Sequence, residues 1–225
     1  MRMTPERWDF TCRYLGDIFG RPDPHLAGLM DRAVGAGLPP IAVSSDVGRL
    51  LKLLVSMTNG GRGARLAVEI GTLAGFSGIW IARGLGPGGR LITVEIEPAH
   101  ADFAQREFEL AGVADRVELR RTNGLDAIDQ LVRERTVVDF VFLDAVKTEY
   151  SAYFEKIAPL IAPGGVLAAD NMLGSGSWWI DDPPGSNPSR DAADQFNRKL
   201  ANDPRFETAC VPIREGVLIA RRLPE

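Results

Sequence analysis

The sequence is short of the residue types that most metal, redox and nucleic-acid chemistries draw on. Cysteine occurs twice, at Cys12 and Cys210, far apart and without CxxC spacing. That excludes a disulfide framework or a thiolate zinc site and leaves two buried free thiols in a reducing compartment as the expectation. His25 and His100 lack partners at ligand or triad spacing and are read as surface or satisfied histidines. Basic charge is not in excess, with 26 Lys and Arg against 30 Asp and Glu, net −4. The short pairs Arg120-Arg121 and Arg221-Arg222 read as solvated strand ends, so no nucleic-acid partner is expected. Long apolar runs are missing too. The charge-free stretches 33–45, 70–82 and 157–169 span 13 residues each and are broken by Gly or Pro, whereas a spanning helix needs roughly 17–25 residues. No membrane segment is expected. The start, Met1-Arg2-Met3-Thr4-Pro5-Glu6-Arg7, has no apolar h-region and does not read as a signal peptide. The expected location is the cytoplasm.

What is present is ordinary for a globular chain, 45% hydrophobic and 25% charged over 225 residues, a length that suits one domain, 1–225. Residues 4–19, 24–36 and 45–57 read as three helices within an N-terminal segment 1–60, the third capped by Ser45-Asp46 and presenting Leu50, Leu51, Leu54 and Met57. In 61–225, strand-like runs Leu66–Ile70, Arg90–Glu95, Val117–Arg120, Val137–Leu143 and Gly165–Asp170 alternate with helical periodicity over 76–84, 98–112, 124–134 and 148–161. That alternation predicts an α/β fold, a parallel sheet covered by helices on both faces. The runs Phe206–Ile213 and Val217–Arg221 are joined by Arg214-Glu215-Gly216 alone, which permits only an antiparallel hairpin. A parallel sheet closed this way has the outline of the methyltransferase variant of the Rossmann fold. The stretch 172–190, rich in Gly, Ser and Pro and holding Trp178-Trp179, reads as a lid loop.

Two groups of residues point to chemistry. Val68-Glu69-Ile70-Gly71-Thr72-Leu73-Ala74-Gly75-Phe76-Ser77 runs from a strand into a helix, with glycines that let a ligand approach the backbone. Glu95, at the end of the next strand, is placed to accept both hydroxyls of a ribose. The second group lies at two strand ends, Asp144-Ala145-Val146-Lys147 and Asp170-Asn171. Asp144, Asp170 and the Asn171 carbonyl are oxygen donors that suit a hard divalent cation; capping of the following segment is the structural alternative for the two aspartates.

At this point the sequence resembles the cation-dependent O-methyltransferases, which include catechol, caffeoyl-CoA and small bacterial O-methyltransferases. Val68–Ser77, Leu91–Glu95, Phe142–Tyr150, Asp170–Gly176, Asp203-Pro204-Arg205 and Pro212–Val217 carry the likeness, which extends from about Pro40 to the C-terminus. The resemblance implies a seven-stranded, mostly parallel sheet and S-adenosylmethionine as methyl donor. It implies that Glu69, Gly71, Thr72 and Ser77 line the methionine part of that cofactor, that Glu95 holds the ribose, and that Asn123, Gly124 and Leu125 flank the adenine. Ile41 and Val43 would contact the cofactor from the other side. Asp144, Asp170 and Asn171 match metal ligands for Mg2+, Mn2+ or Ca2+, with Asp144 also bordering the cofactor, and Lys147 matches the catalytic lysine. The sequence departs from many relatives at Val146, where they carry Asp, and from the plant enzymes at Gly174-Ser175, where those have Trp-Asn. The family's catechol-binding acid has no counterpart near Ala209.

A catechol hydroxyl, with a pKa near that of tyrosine, roughly 10, is scarcely ionised at neutral pH. A divalent cation lowers that pKa, and a lysine beside the cation can act as general base. The expected activity is therefore metal-dependent O-methylation of a small catechol-like aromatic. An NAD-dependent oxidoreductase and a catalytically inactive cofactor-binding protein are the alternatives. Trp8, Tyr14, Leu15, Ile18 and Phe19 exceed what a minimal sheet needs to cover it, so a homodimer is expected.

Overall fold

A computed structural model describes residues 4–21, 23–174 and 182–224. Seven strands form one sheet: β1 (Leu66–Ile70), β2 (Arg90–Glu95), β3 (Val117–Arg121), β4 (Val138–Leu143), β5 (Ile161–Ala169), β6 (Phe206–Val211) and β7 (Val217–Arg222). Their order is β3-β2-β1-β4-β5-β7-β6. The first five are parallel, while β7 runs antiparallel between β5 and β6. The parallel sheet and its closing hairpin are thus as expected. Nine helices accompany it among the described residues: α1 (Pro5–Phe19), α2 (Pro24–Ala27), α3 (Leu29–Gly35), α4 (Ser45–Gly61), α5 (Phe76–Ala82), α6 (Pro98–Leu110), α7 (Gly124–Arg133), α8 (Tyr150–Ile157) and α9 (Pro188–Ala201).

Because strand side chains alternate between faces, β4 feeds two cores at once. Phe140 and Phe142 pack with the α4–α6 side, and Val141 and Leu143 with the α7–α9 side. The same alternation on β1 sends Val68 and Ile70 to the α7–α9 side and turns Glu69 toward α5. Each fully buried large apolar side chain contributes about 1.5–3 kcal/mol, so this double burial fixes the register that places the strand ends. Among the described residues no helix is long and apolar enough to cross a membrane.

Several local expectations are corrected. The helix over 24–36 is interrupted at Gly28 into α2 and α3. The N-cap of α4 is Ser44, whose hydroxyl bonds the Asp46 carboxylate; Ser45 and Asp46 lie inside the helix. Its buried face is Val47, Gly48, Leu51, Val55 and Thr58, while Met57 is exposed. A Cβ at Gly48 would overlap the Trp80 ring. Close approach of α4 to α5 there centres the buried face on Val47, Gly48 and Leu51; Leu50 and Leu54 of the expected face pack part-buried against the same core, and Met57 alone points out. The helix over 148–161 shortens to α8 between 3-10 turns at Lys147–Glu149 and Ala158–Leu160. β5 starts at Ile161, with an irregularity in its pairing to β4 between Val138 and Phe140. Cys210 is exposed, not buried, since β6 is the sheet's edge strand, and Cys12 is part-buried; both thiols are free.

The proposed lid is shorter than 172–190. Asn187 caps α9 by accepting from the backbone of Ser189 and Arg190. Its middle, 175–181, with Trp178-Trp179, lies outside the described residues.

Candidate functional site

The carboxyl ends of β1, β2, β4 and β5 bring the expected residues to one edge. After β1, Gly71 turns with φ +104, and a Cβ there would overlap the Asp144 carbonyl. Only glycine permits both the angle and that approach. Beyond it, Gly75 caps α5 in left-handed backbone, and Ser77 is buried in the helix's first turn.

Glu69 is completely buried. Its Oε2 accepts from Thr93 Oγ1 at 2.6 Å, and Thr93 Oγ1 lies 2.6 Å from Thr72 Oγ1. Burial pushes its pKa up to about 8, against hydrogen bonds from Ser77 and Thr93 that favour the ionised form. Desolvating a carboxylate that no cation faces costs several kcal/mol, so burial favours the protonated form of this carboxyl. Glu95, also buried, spends one oxygen on each of two backbone donors: Oε2 accepts from Leu73 N at 2.8 Å and Oε1 from Glu97 N at 2.9 Å. It thereby ties the glycine turn to β2. Each carboxylate oxygen keeps a further acceptor position.

The second cluster sits where β4 and β5 end. Asp144 N donates to Ile70 O and Asp170 N to Leu143 O, continuing the sheet past its strands. Lys147 Nζ lies 3.7 Å from Asp144 Oδ1 and donates to Tyr150 Oη at 2.6 Å. The Tyr150 hydroxyl in turn donates to Leu143 O at 2.9 Å and accepts from Ala145 N at 3.1 Å. Phe196 of α9 packs edge-on against the Tyr150 ring. Burial lowers the Lys147 pKa, with Asp144 and Asp170 opposing that shift. Burial also raises Asp144, and burial with the Asp144 charge pushes Asp170 up to about 7. Asp170 Oδ1 is buried and has no hydrogen-bond partner among the described residues. Asn171 follows in left-handed backbone, φ +57.

The remaining candidates fall in different places. Asn123 caps α7 by accepting from Asp126 N at 2.8 Å. Gly124 is buried against Ile70 and Tyr153, beside the end of β1, and Leu125 packs at the margin of the α7–α9 core. Val43 is a core residue. The Ile41 side chain is 68% exposed, and Val146 is exposed as well. His25 Nε2 lies 3.0 Å from Glu107 Oε2 and makes no hydrogen bond among the described residues, and His100 Nδ1 lies 3.8 Å from Glu95 Oε1. Three residues of the site went unread in the sequence: Thr93, Tyr150 and Arg214, whose Nη1 lies 4.0 Å from Asp170 Oδ2. Thr93 was detectable as the polar residue inside the apolar run Leu91–Val94, and Tyr150 as a phenol three residues after Lys147.

The chain matches the O-methyltransferase family model over residues 21–223. It is 37% identical to a catechol O-methyltransferase of Niastella koreensis over 199 residues, 88% of this chain and 87% of that protein. Among solved structures it is similar to the O-methyltransferase from Bacillus cereus in complex with SAH, at 34% identity and TM-score 0.85, covering 96% of this chain and 99% of the other. It is also similar to the O-methyltransferase TomG from Streptomyces achromogenes in complex with SAM, at 31% identity and TM-score 0.84, covering 99% and 100%.

Proposed function

The chain belongs to the O-methyltransferase family, and from that premise we propose that it transfers the methyl group of S-adenosylmethionine to a hydroxyl of a small catechol-like aromatic, with a divalent cation assisting. The observation that carries the cation is Asp170 Oδ1, buried and unpartnered beside Asp144 at adjacent strand ends. Leaving a buried acceptor unpaired is costly, and two carboxylates with an amide carbonyl form a hard oxygen donor set. Asp144, Asp170 and Asn171 would hold Mg2+, Mn2+ or Ca2+. When bound, such a cation lowers the pKa of a hydroxyl it binds, and S-adenosylmethionine supplies a methyl group on a sulfonium that leaves as a neutral thioether.

The chain's own residues do the rest. Lys147, whose neutral form is favoured by burial, takes the acceptor's hydroxyl proton at Nζ. Tyr150 fixes that amine in place through its own two backbone hydrogen bonds. The Gly71 turn, Thr72, Ser77 and Glu69 line the methionine end of the donor. Glu95 takes the ribose, Asn123, Gly124 and Leu125 flank the base, and the backbone at Ile41 and Val43 closes the far side. Alignment of oxygen, methyl and sulfur is then a positioning problem. The catechol O-methyltransferase relative supports the acceptor class, and the structures in complex with SAH and SAM support the donor. Family membership sets aside the oxidoreductase alternative. Methyl transfer from S-adenosylmethionine to a panel of catechols, read by mass spectrometry with magnesium and with EDTA, tests the reading. Transfer is expected with the metal alone, and undiminished turnover in chelator removes the cation from the mechanism. The two free thiols are in keeping with a cytoplasmic enzyme.

Glu95→Ala removes the proposed ribose acceptor and the tie to Leu73. The Kd for S-adenosylmethionine is expected to rise tenfold or more, ~1.5–3 kcal/mol for a hydrogen bond to a charged group. Calorimetry checks this, and an unchanged affinity takes Glu95 out of the site.

Helix α1 buries no residue completely and leaves Phe10, Tyr14, Ile18 and Phe19 exposed. A second copy of the chain covering this face makes a homodimer. Light scattering at micromolar concentration should give twice the chain mass; a monomer there ends the proposal.

A further inference from the structure

Arg214 lies in the turn between β6 and β7 in left-handed backbone, φ +49, a conformation uncommon for side chains other than glycine and asparagine. Strain of this kind is a reason to look for a function in the residue that bears it. The guanidinium reaches back over the strand ends. Its Nε is 3.0 Å from Glu215 Oε2, and its Nη1 is 4.0 Å from Asp170 Oδ2. That Nη1 is buried and makes no hydrogen bond among the described residues. The turn is pinned there, because Met172 N donates to Gly216 O at 3.0 Å and Leu173 N to Glu215 O at 2.7 Å. Across the cluster Lys147 stands 3.7 Å from Asp144. Each carboxylate of the proposed cation site therefore has a basic side chain of its own beside it.

We infer that Arg214 is a built-in counter-ion of Asp170 that competes with the divalent cation and weakens its binding. The inference rests on the cation reading given above. Two effects of the guanidinium oppose one another: it could orient the carboxylate for the metal, or it could repel the metal. Orientation needs a directed hydrogen bond, and at 4.0 Å none is made. Charge acts without one, and repulsion between a guanidinium and a dication a few ångströms apart is worth about an order of magnitude in affinity even in a water-like medium. Repulsion wins.

The test is Mn2+ binding to the full chain without acceptor, followed by calorimetry and by electron paramagnetic resonance. R214G suits the backbone, since glycine accepts the positive φ, and R214Q gives a second neutral variant that keeps most of the side-chain length. R214K keeps the charge, and D170N removes a ligand. Both neutral variants should bind Mn2+ about tenfold more tightly than the native chain, R214K within about threefold of it, and D170N more weakly. Melting temperatures show that each variant is folded. If D170N weakens binding while R214G and R214Q match the native chain or bind more weakly, the cation reading stands and the role of Arg214 is lost. If neither the native chain nor the neutral variants bind Mn2+, the cation reading falls and this inference with it.

Discussion

Asp170→Asn is expected to abolish methyl transfer and at the same time to make the metal-free protein more heat-stable at pH 8. The loss follows from removing a carboxylate proposed to hold the cation at the acceptor, and Asp144→Ala should act the same way, both leaving the Kd for S-adenosylmethionine within a few fold. The gain follows from linkage. Burial and the neighbouring Asp144 charge hold the Asp170 pKa at about 7 in the folded chain, above its value of roughly 4 in an unfolded one. Below pH 4 both states carry the proton and the residue contributes nothing. Between about 4 and 7 the unfolded state ionises while the folded state retains its proton, so a penalty on folding grows with pH and levels off above 7. The amide has no such penalty. In EDTA, the melting temperature of Asp170→Asn should exceed that of the native chain at pH 8, with the gap closing toward pH 4. Magnesium should then raise the native chain's melting temperature and leave the variant's unchanged. A variant that melts lower than the native chain at pH 8 would show that Asp170 supports the fold. Retained turnover would show that it is not a ligand needed for transfer.

Lys147→Met is expected to lose about 10²–10⁴-fold in kcat at pH 7.5, the usual range for a general base, while cofactor and Mn2+ affinity fall no further than a few fold. Methionine has nearly the length of the lysine stem, so packing across the Tyr150 ring is largely kept, whereas the amine that bonds the Tyr150 hydroxyl is gone. The pH profile separates two roles. A base that removes the hydroxyl proton becomes dispensable as the acceptor ionises by itself, so the deficit should shrink toward pH 9–10, near the roughly 10 of a free phenol. A lysine that only balances charge would give a deficit constant with pH. Native kcat at neutral pH in the variant would remove Lys147 from the mechanism.

Much of this protein was fixed by local pattern. Continuous apolar runs such as Val138–Leu143 mark strands buried on both faces, the Gly71 and Gly75 spacing marks a turn that only glycine can make, and a connection as short as 212–216 forces a hairpin. Those signals sit within a few residues of one another. They put Asp144, Lys147, Asp170 and Glu95 at the carboxyl edge of the sheet. The tertiary structure decided what each side chain meets there. The rotation of α4 depends on Gly48 meeting Trp80, 32 residues away by numbering, so its apolar stripe found Leu50, Leu51 and Leu54 on the core side but wrongly added Met57. The raised pKa of Glu69 depends on its burial between the sheet and α5, which outweighs the hydrogen bonds that Thr93 and Ser77 bring from β2 and α5. The partner of Lys147 depends on a 3-10 turn that carries Tyr150 beneath it, backed by Phe196 of a helix the sequence did not announce. Arg214 reaches Asp170 only because β7 pairs antiparallel with β5, which folds the hairpin turn back over the site. Periodicity reports which face of an element is buried, since that depends on neighbours in the chain. Hydrogen bonds and charge pairs between elements depend on register and rotation, which packing sets only when the whole sheet is assembled.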